Sequence, residues 1–353
     1  RQANGDSQRP TLSSDGRYVA FWSAADNLVD GDTNRETDCF VHDRQSHETV
    51  RVDVGPDDVQ ANGECARPVI SGDGKLVAFE SAAANLEKAG VLGKSTDTNK
   101  ARDVFVRDLA AGTTTRVSVT TDGKQGMGES VRPSISTDGR YVAFQSDAPL
   151  QSDDTNKKTD VYLRDRESDE TTRISIGPGG AEGNGGSFSP SMSADGRLVA
   201  YWSNASDLVS GDSNKTGDVF VFDRQDGSTV RISVGSGDVQ GDGMSSDPSI
   251  SPDGRYVAFW SGAANLVPDD TNGKRDIFLV DRDQSTVARV SVADDGTQGD
   301  GDSFSPNIGA GGGLVAFDSA ARTLVPDDHK TKGSDIFLHS EDAPQSAAPP
   351  TGQ

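Results

Sequence analysis

Long hydrophobic runs are missing from this chain. No stretch approaches the roughly 18 consecutive apolar residues of a membrane span. The opening Arg-Gln-Ala-Asn-Gly-Asp-Ser has no apolar core of a signal peptide. The expectation is a soluble chain, in a mature form whose targeting segment has gone. Cysteine is scarce too: Cys39 and Cys65 are the only two, too few for a disulfide framework or a thiolate zinc site, and they do not fix the compartment. Positive charge is short, with 34 Lys and Arg against 56 Asp and Glu, a formal net charge of −22. Such a field repels polyphosphate and anionic lipid, so nucleic acid and membrane insertion are poor readings. Hydrophobic residues make up 32% of the 353, and 40 glycines accompany them, a lean but foldable composition. The length allows two domains or one large closed architecture.

What is present is a period. Arg-Pro-Thr-Leu-Ser-Ser-Asp-Gly-Arg-Tyr-Val-Ala-Phe-Trp-Ser at 9–23 recurs at 67–81, 132–146, 189–203, 247–261 and, more worn, 305–319. The leading prolines are Pro10, Pro68, Pro133, Pro190, Pro248 and Pro306, spaced 58, 65, 57, 58 and 58 residues apart. The one long interval matches an insertion near Leu86 to Ser95. A fixed repeat of this size decides the fold before any local reading does.

Each unit reads as four strands. A short first strand ends at an Asp-Gly turn, where glycine accepts positive φ. A second follows, such as Tyr18 to Ser23, then a polar loop, a third such as Asp218 to Asp223, and a fourth such as Thr229 to Val234. No segment of 10 or more residues keeps helical spacing through all six copies. Four-stranded units of equal length cannot bury both faces alone, but set radially each packs against two neighbours. The expectation is an all-β chain, a six-bladed β-propeller of four-stranded antiparallel blades, preferred to an open solenoid or paired sandwiches. The propeller is expected over 1–342, with a disordered tail over 343–353.

The unit Pro-Ser-Ile-Ser-Pro-Asp-Gly-Arg-Tyr-Val-Ala-Phe at 248–259, followed by Asp-Ile-Phe-Leu-Val-Asp at 276–281, resembles the WD40-like (PD40) repeat of the TolB-type propellers, over essentially all of the chain. The resemblance implies a periplasmic or extracellular bacterial protein, usually a protein-binding platform and sometimes the propeller half of a peptidase. The sequence departs from that pattern: the α/β domain that TolB carries before its repeats and the α/β-hydrolase domain of the peptidases are not in it. Function does not travel with the fold.

The start of the chain aligns with the crossover that follows a fourth strand. Unit six runs from its third strand into Ser-Glu-Asp-Ala-Pro with no Thr-Val-Arg-Val-Ser-Val equivalent. Blade six is therefore expected to hold three strands, its outer strand supplied by residues upstream of Arg1 in a precursor. An uncovered edge would otherwise invite pairing with another chain.

Three sets of residues are candidates for a site. The loop between second and third strands repeats Asp-Thr-Asn-x-x-x-Asp: Asp32, Asn34 and Asp38; Asp97, Asn99 and Asp103; Asp154, Asn156 and Asp160; Asp212, Asn214 and Asp218; Asp270, Asn272 and Asp276. Oxygen ligands at such spacing suit a hard cation such as Ca²⁺. They equally suit Asx turns that hold a long hairpin loop, so calcium and a purely structural turn both stand. Unit six, with Asp327-Asp328-His329-Lys330, should bind no metal. The crossover repeats Gln-Gly-Asx-Gly loosely from Gln60, Gln125, Gln240 and Gln298, its glycines serving the sharp passage between blades.

Before the lead prolines stand Arg9, Arg67 and Arg132 in three consecutive blades, a positive lip at the channel mouth where a carboxylate or acidic peptide could dock. The alternative is that each pairs with a neighbouring acid. Trp22, Trp202 and Trp260 share one repeat position, with Glu80, Gln145 and Asp318 in the other copies. A position accepting both indole and carboxylate is not expected to be deep core. Trp202, Trp260, Asp318 and Trp22 are read as an arc for stacking a sugar or anchoring a partner, against the plainer reading of packing between blades.

Catalytic signatures are absent: no Gly-x-Ser-x-Gly elbow, Walker loop or His-Glu-x-x-His occurs, and the four histidines fall at different repeat positions. Cys39 replaces a third-strand valine and Cys65 a crossover serine, and free thiols are expected. The sequence favours a non-enzymatic binding or scaffold propeller for a protein or glycan partner, with calcium as the cofactor in question. A carbohydrate-active hydrolase or lyase with its site over the channel, or a structural module of a larger secreted protein, is the alternative.

Overall fold

The computed structural model describes residues 2–88, 97–326 and 333–340. The expected tail, the unit-six loop Asp327 to Lys330 and most of the insertion after Leu86 lie outside them. The fold is a six-bladed β-propeller: five four-stranded antiparallel blades and a sixth of three strands. The chain forms two compact units, Arg1–Ile232 with blades one to four and Ser233–Gln353 with blades five and six.

Blade one pairs Ser7–Leu12, Tyr18–Ser23, Asp38–Asp43 and Glu48–Arg51 in chain order. Blade two repeats this with Cys65–Ile70, Leu76–Ser81, Asp103–Asp108 and Thr113–Arg116, and blade three with Ser130–Ile135, Tyr141–Ser146, Asp160–Asp165 and Glu170–Arg173. Blade four has Ser187–Met192, Leu198–Ser203, Asp218–Asp223 and Ser228–Arg231. In the second unit, blade five has Ser245–Ile250, Tyr256–Ser261, Asp276–Asp281 and Thr286–Arg289, and blade six has Ser303–Ile308, Leu314–Ser319 and Asp335–Ser340.

The Ser-x-Asp-Gly-Arg signature is a self-contained hairpin device. Ser13 Oγ donates to Asp15 at 2.6 Å while accepting the Tyr18 amide at 3.0 Å, and the Arg17 amide donates to Asp15. The Arg17 guanidinium then forks onto both oxygens of Asp43 at the end of the third strand, at 3.0 and 2.6 Å. That pair holds the Asp43 carboxyl well below the usual carboxylate range. Blades three, four and five repeat the fork with Arg140 and Asp165, Arg197 and Asp223, and Arg255 and Asp281. The turn glycine has a second duty. Gly139 sits at φ +69, and a Cβ there would lie 2.1 Å from the Leu76 side chain of the preceding blade, so a larger residue would be strained and would displace that leucine.

The core lies between blades. Ala20, Cys39 and Val41 of blade one pack with Ile70, Val77 and Phe79 of blade two. Equivalent clusters join blades two and three, three and four, and, in the second unit, five and six. Each buried Val, Ile or Phe is worth roughly 1.5–3 kcal/mol, so a blade draws its stability from its neighbour. An aromatic pair, Phe21 with Phe40 in blade one, stacks across second and third strands in every blade.

Two expectations are corrected here. Cys39 and Cys65 are not free thiols: they form a disulfide, Cα to Cα 5.6 Å, between the third strand of blade one and the first strand of blade two. Both positions face the same inter-blade seam, where valine or isoleucine and serine stand in other repeats. Nor is the Trp22 position uniformly shallow. Glu80 is 2% and Trp260 8% exposed, because this position also faces the seam.

Candidate functional site

The Asp-Thr-Asn loops are internally clamped. In blade one, Asn34 Nδ2 donates to Asp38 at 2.9 Å and to the Ala61 carbonyl at 3.1 Å, while its Oδ1 accepts the Glu36 amide. Gln60 of the crossover donates to Asp32 at 3.0 Å and accepts the Thr33 hydroxyl at 3.1 Å. The guanidinium of Arg51, from the fourth strand, lies 3.1 Å from Asp32 and 3.5 Å from Asp38.

The same parts recur. Asn99, Asn156, Asn214 and Asn272 donate to Asp103, Asp160, Asp218 and Asp276. Gln125 donates to Asp97 and Asp103. Arg116 approaches Asp103 at 3.4 Å, Arg231 approaches Asp212 at 3.6 Å, and Arg289 approaches Asp270 at 3.0 Å and Asp276 at 3.6 Å. Each of these five blades thus places one nearly buried guanidinium at its loop carboxylates.

Burial raises the carboxyls of Asp32, Asp103, Asp154, Asp270 and Asp276 above the ordinary aspartate value, and that of Asp160 to about 6. In blade three, glutamate replaces the crossover glutamine. Asp154, Asp160 and Glu182 bring one carboxylate oxygen each within 4.8 Å of one another, a group that could hold a metal ion. Arg173 Nη1 already stands 2.8 Å from Glu182 and 3.7 Å from Asp154. Burial works to raise the Glu182 carboxyl, but bonds from the Thr155 amide and hydroxyl, the Asn156 amide and Arg173 outweigh it and bring it to about 2.

Blade one differs in one buried group. Where blades two, three and five have Ser118, Ser175 and Ser291, it has Asp53, fully buried, accepting the Cys39 amide at 2.9 Å. Burial, then the neighbouring Asp38, pushes its carboxyl well above the ordinary value.

The arginines before the lead prolines sit on a bulge. Register slips between Gln8 and Thr11 and at every equivalent point, and the residue before proline takes positive φ: Arg9 +50, Arg67 +50, Arg132 +56 and Ser189 +52 in the first unit, Asp247 +47 and Ser305 +52 in the second. The bulge turns that residue's N–H out of the strand ladder. Glu80 Oε2 accepts the Arg132 amide at 2.7 Å and Gln145 Oε1 the Ser189 amide at 3.0 Å, each across a blade seam. This is why the position tolerates Glu and Gln. Indole can only donate, and in blade one the buried Trp22 Nε1 has no hydrogen-bond partner among the described residues.

Arg67 and Arg132 are brought together around Glu80. Arg67 Nε is 3.7 Å and Arg102 Nη1 3.3 Å from Glu80 Oε1. Arg102 also binds Glu64, and Arg132 Nη1 donates to Ser189 at 2.8 Å. Burial raises the Glu80 carboxyl, opposed by the Arg132 amide and by Arg67. Arg9 is exposed. A groove of about 320 Å³ beside the blade-one loop is lined by Asp26, Asp32, Arg35, Glu36 and Glu64, among others.

The tryptophans are not gathered into one group within either unit. Trp202 stacks on Phe188 at 4.6 Å in the first unit. In the second, Trp260 meets Phe304 edge-on at 5.7 Å, lies under Arg275 at 5.2 Å and donates to Asp247 at 3.2 Å. Asp318 stands opposite Phe304 in the blade-six ladder. The sequence pattern marks the crossover glutamines beside their glycines but not their clamping role, nor that of the fourth-strand arginines. Their signal was there: Gln60, Gln125 and Gln298, and Arg51, Arg116, Arg173, Arg231 and Arg289, recur in the units that keep the loop asparagine.

No protein-family model and no curated protein matches the sequence. Solved structures do match. A structure from a study of two prolyl endopeptidases has TM-score 0.57 and 11% identity, covering 96% of this chain and 41% of that one. Pyrococcus horikoshii acylaminoacyl peptidase has TM-score 0.54 and 14% identity, covering 95% and 44%. TolB from Acinetobacter baumannii has TM-score 0.47 and 16% identity, covering 87% and 57%, so this chain spans little more than half of that protein. At these identities the likeness to the two peptidase structures is one of fold alone, the β-propeller. No helix among the described residues is long and apolar enough to cross a membrane.

Proposed function

We propose that this chain is a non-enzymatic binding or scaffold propeller that recognises a protein or glycan partner on one face. The observation that carries the reading is where the repeats diverge. The shifted loop carboxyls belong to clamps repeated from blade to blade, whereas the bulge residue and its seam partner differ: Arg9, Arg67, Arg132 and Ser189 with Trp22, Glu80, Gln145 and Trp202. Side chains varying on a constant frame are where selectivity resides. The arginines suit a partner's carboxylates, and the part-exposed rings of Trp22 and Trp202 in the first unit suit a sugar ring or an anchoring side chain. The Cys39–Cys65 disulfide supports an oxidising compartment, periplasmic or extracellular.

Peptide-display and glycan-array selections test this. Charge reversal by Arg9→Glu or Arg132→Glu should weaken an enriched binder by about tenfold or more. Ligands indifferent to both changes would remove this face from consideration, and turnover of glycoside or peptide substrates would replace the reading with the enzymatic one.

Calcium belongs to the same proposal only in outline. The group Asp154, Asp160 and Glu182 is the seat it would take, but Arg173 already supplies positive charge there, as its counterparts do in four other blades. In this reading the fastening cation is the arginine.

A further inference from the structure

Blade four departs from the other blades where its second strand runs into the loop. Phe188 and Trp202 stand opposite each other there, stack with ring centroids 4.6 Å apart and planes 28° apart, and both stay part-exposed. The second unit holds a covered version of the same position. Trp260 of blade five meets Phe304 edge-on, Arg275 lies over the two rings at 5.2 and 5.3 Å, and Met244 packs against the cluster, so Trp260 is buried.

The residues that do the covering are glycines in blade four. The position before the third strand is Thr37, Arg102, Thr159 and Arg275 in blades one, two, three and five, and Gly217 in blade four. The position before the first strand is Asp6, Glu64, Glu129, Met244 and Asp302 elsewhere, and Gly186 here. A Cβ at Gly217 would lie 3.2 Å from Cε3 of Trp202, and one at Gly186 2.6 Å from Cζ of Phe188. Neither glycine lies in the left-handed region, so the backbone does not require them. What they supply is room for the rings.

Asn204 adds a polar edge. It is exposed, its Oδ1 stands 3.1 Å from where a Gly217 Cβ would be, and the other blades have Ala24, Ala82, Asp147, Gly262 and Ala320 at its position.

We infer that Phe188 and Trp202 form a stacking platform for an uncharged pyranose ring of a glycan, with the Asn204 amide bonding a ring hydroxyl. A pyranose has an apolar C–H face and a hydroxyl rim; the aromatic pair covers the first, and an amide both donates to and accepts from the second. With glycine in place of the arginines and acids of other blades, a charged ligand finds no counter-ion at those two positions, and a neutral one displaces none. The inference rests on the reading of the chain as a binding propeller and selects its glycan branch.

Titration of the full chain with neutral hexasaccharides of β-1,4-linked glucose and of β-1,4-linked N-acetylglucosamine, followed by tryptophan emission and by calorimetry, tests it. Saturable binding of at least one is expected below about 1 mM. Trp202→Ala should weaken it by about tenfold or more, and Gly217→Arg, which restores the cover of blades two and five, by a similar factor. Asn204→Ala, a change at an exposed side chain, should weaken it by about threefold and carries the test if the other variants fail to fold. No saturation by either sugar, affinity unmoved by these changes, or tighter binding of an anionic hexasaccharide or of a peptide at this site would overturn the inference. Loss on Arg132→Glu with Trp202→Ala indifferent would sink the platform while leaving the proposed binding function standing.

Discussion

Replacing Asp53 by serine should make the protein more stable, an unusual direction for a change at a fully buried site. Asp53 accepts one bond, from the Cys39 amide at 2.9 Å, and its other oxygen is buried with no hydrogen-bond partner among the described residues while Asp38 stands beside it. Ser118, Ser175 and Ser291 show what serine does at this position: it accepts the same amide and donates to the strand-opening aspartate. Asp53→Ser keeps the bond from the Cys39 amide, adds a donated bond to Asp38 and removes a like-charge contact. Relieving an unsatisfied buried polar group is worth about 1–3 kcal/mol, more where charge is involved. For a unit of this size each kcal/mol moves the melting midpoint by about 2–4 °C.

The pH dependence gives the sharper check. Burial and Asp38 raise the Asp53 carboxyl in the fold, so the folded state holds a proton that the unfolded chain releases above the ordinary value of 3.8. The fold binds more protons than the unfolded chain, and its stability falls as pH rises from that ordinary value through the raised one. The gain from Asp53→Ser should therefore be least near pH 4 and larger at pH 8. Calorimetric melts of both proteins at the two pH values measure it. A variant that melts lower at pH 8, or gains equally at both, would refute the account of Asp53.

Three further outcomes are expected. Removing the disulfide by Cys39→Ser with Cys65→Ser frees a loop of 26 residues and should cost about 3–4 kcal/mol in urea unfolding; an unchanged midpoint would mean the seam needs no crosslink. Arg289→Met leaves the buried carboxylates of Asp270 and Asp276 without their cation and should cost about 3–5 kcal/mol by the same assay, whereas a loss below 1 kcal/mol would show the clamp to be ornamental. Added Ca²⁺ should leave the wild-type midpoint where EDTA leaves it. It should raise that of Arg173→Ala, where Asp154, Asp160 and Glu182 lose their guanidinium, and a rise in the wild type as well would return calcium to the native loops.

The architecture was written in the sequence because each blade is built from neighbours in the chain. The Ser-x-Asp-Gly-Arg turn closes on itself within five residues through Ser13, Asp15 and Tyr18, and strands joined by short turns leave an alternating pattern at a fixed period. The three-strand limit of blade six was legible for the same reason. What the repeats do to one another was not. Glu80 reaches the Arg132 amide across a seam 52 residues apart in sequence, and Cys39 meets Cys65 although neither position carries cysteine elsewhere. The loop acids looked equally like calcium ligands or turn formers until the fold brought Arg51 and Gln60 against them. Local periodicity dictates which strands form, but charge pairing, burial and crosslinking depend on side chains that converge only when successive blades pack, and that convergence belongs to the tertiary structure.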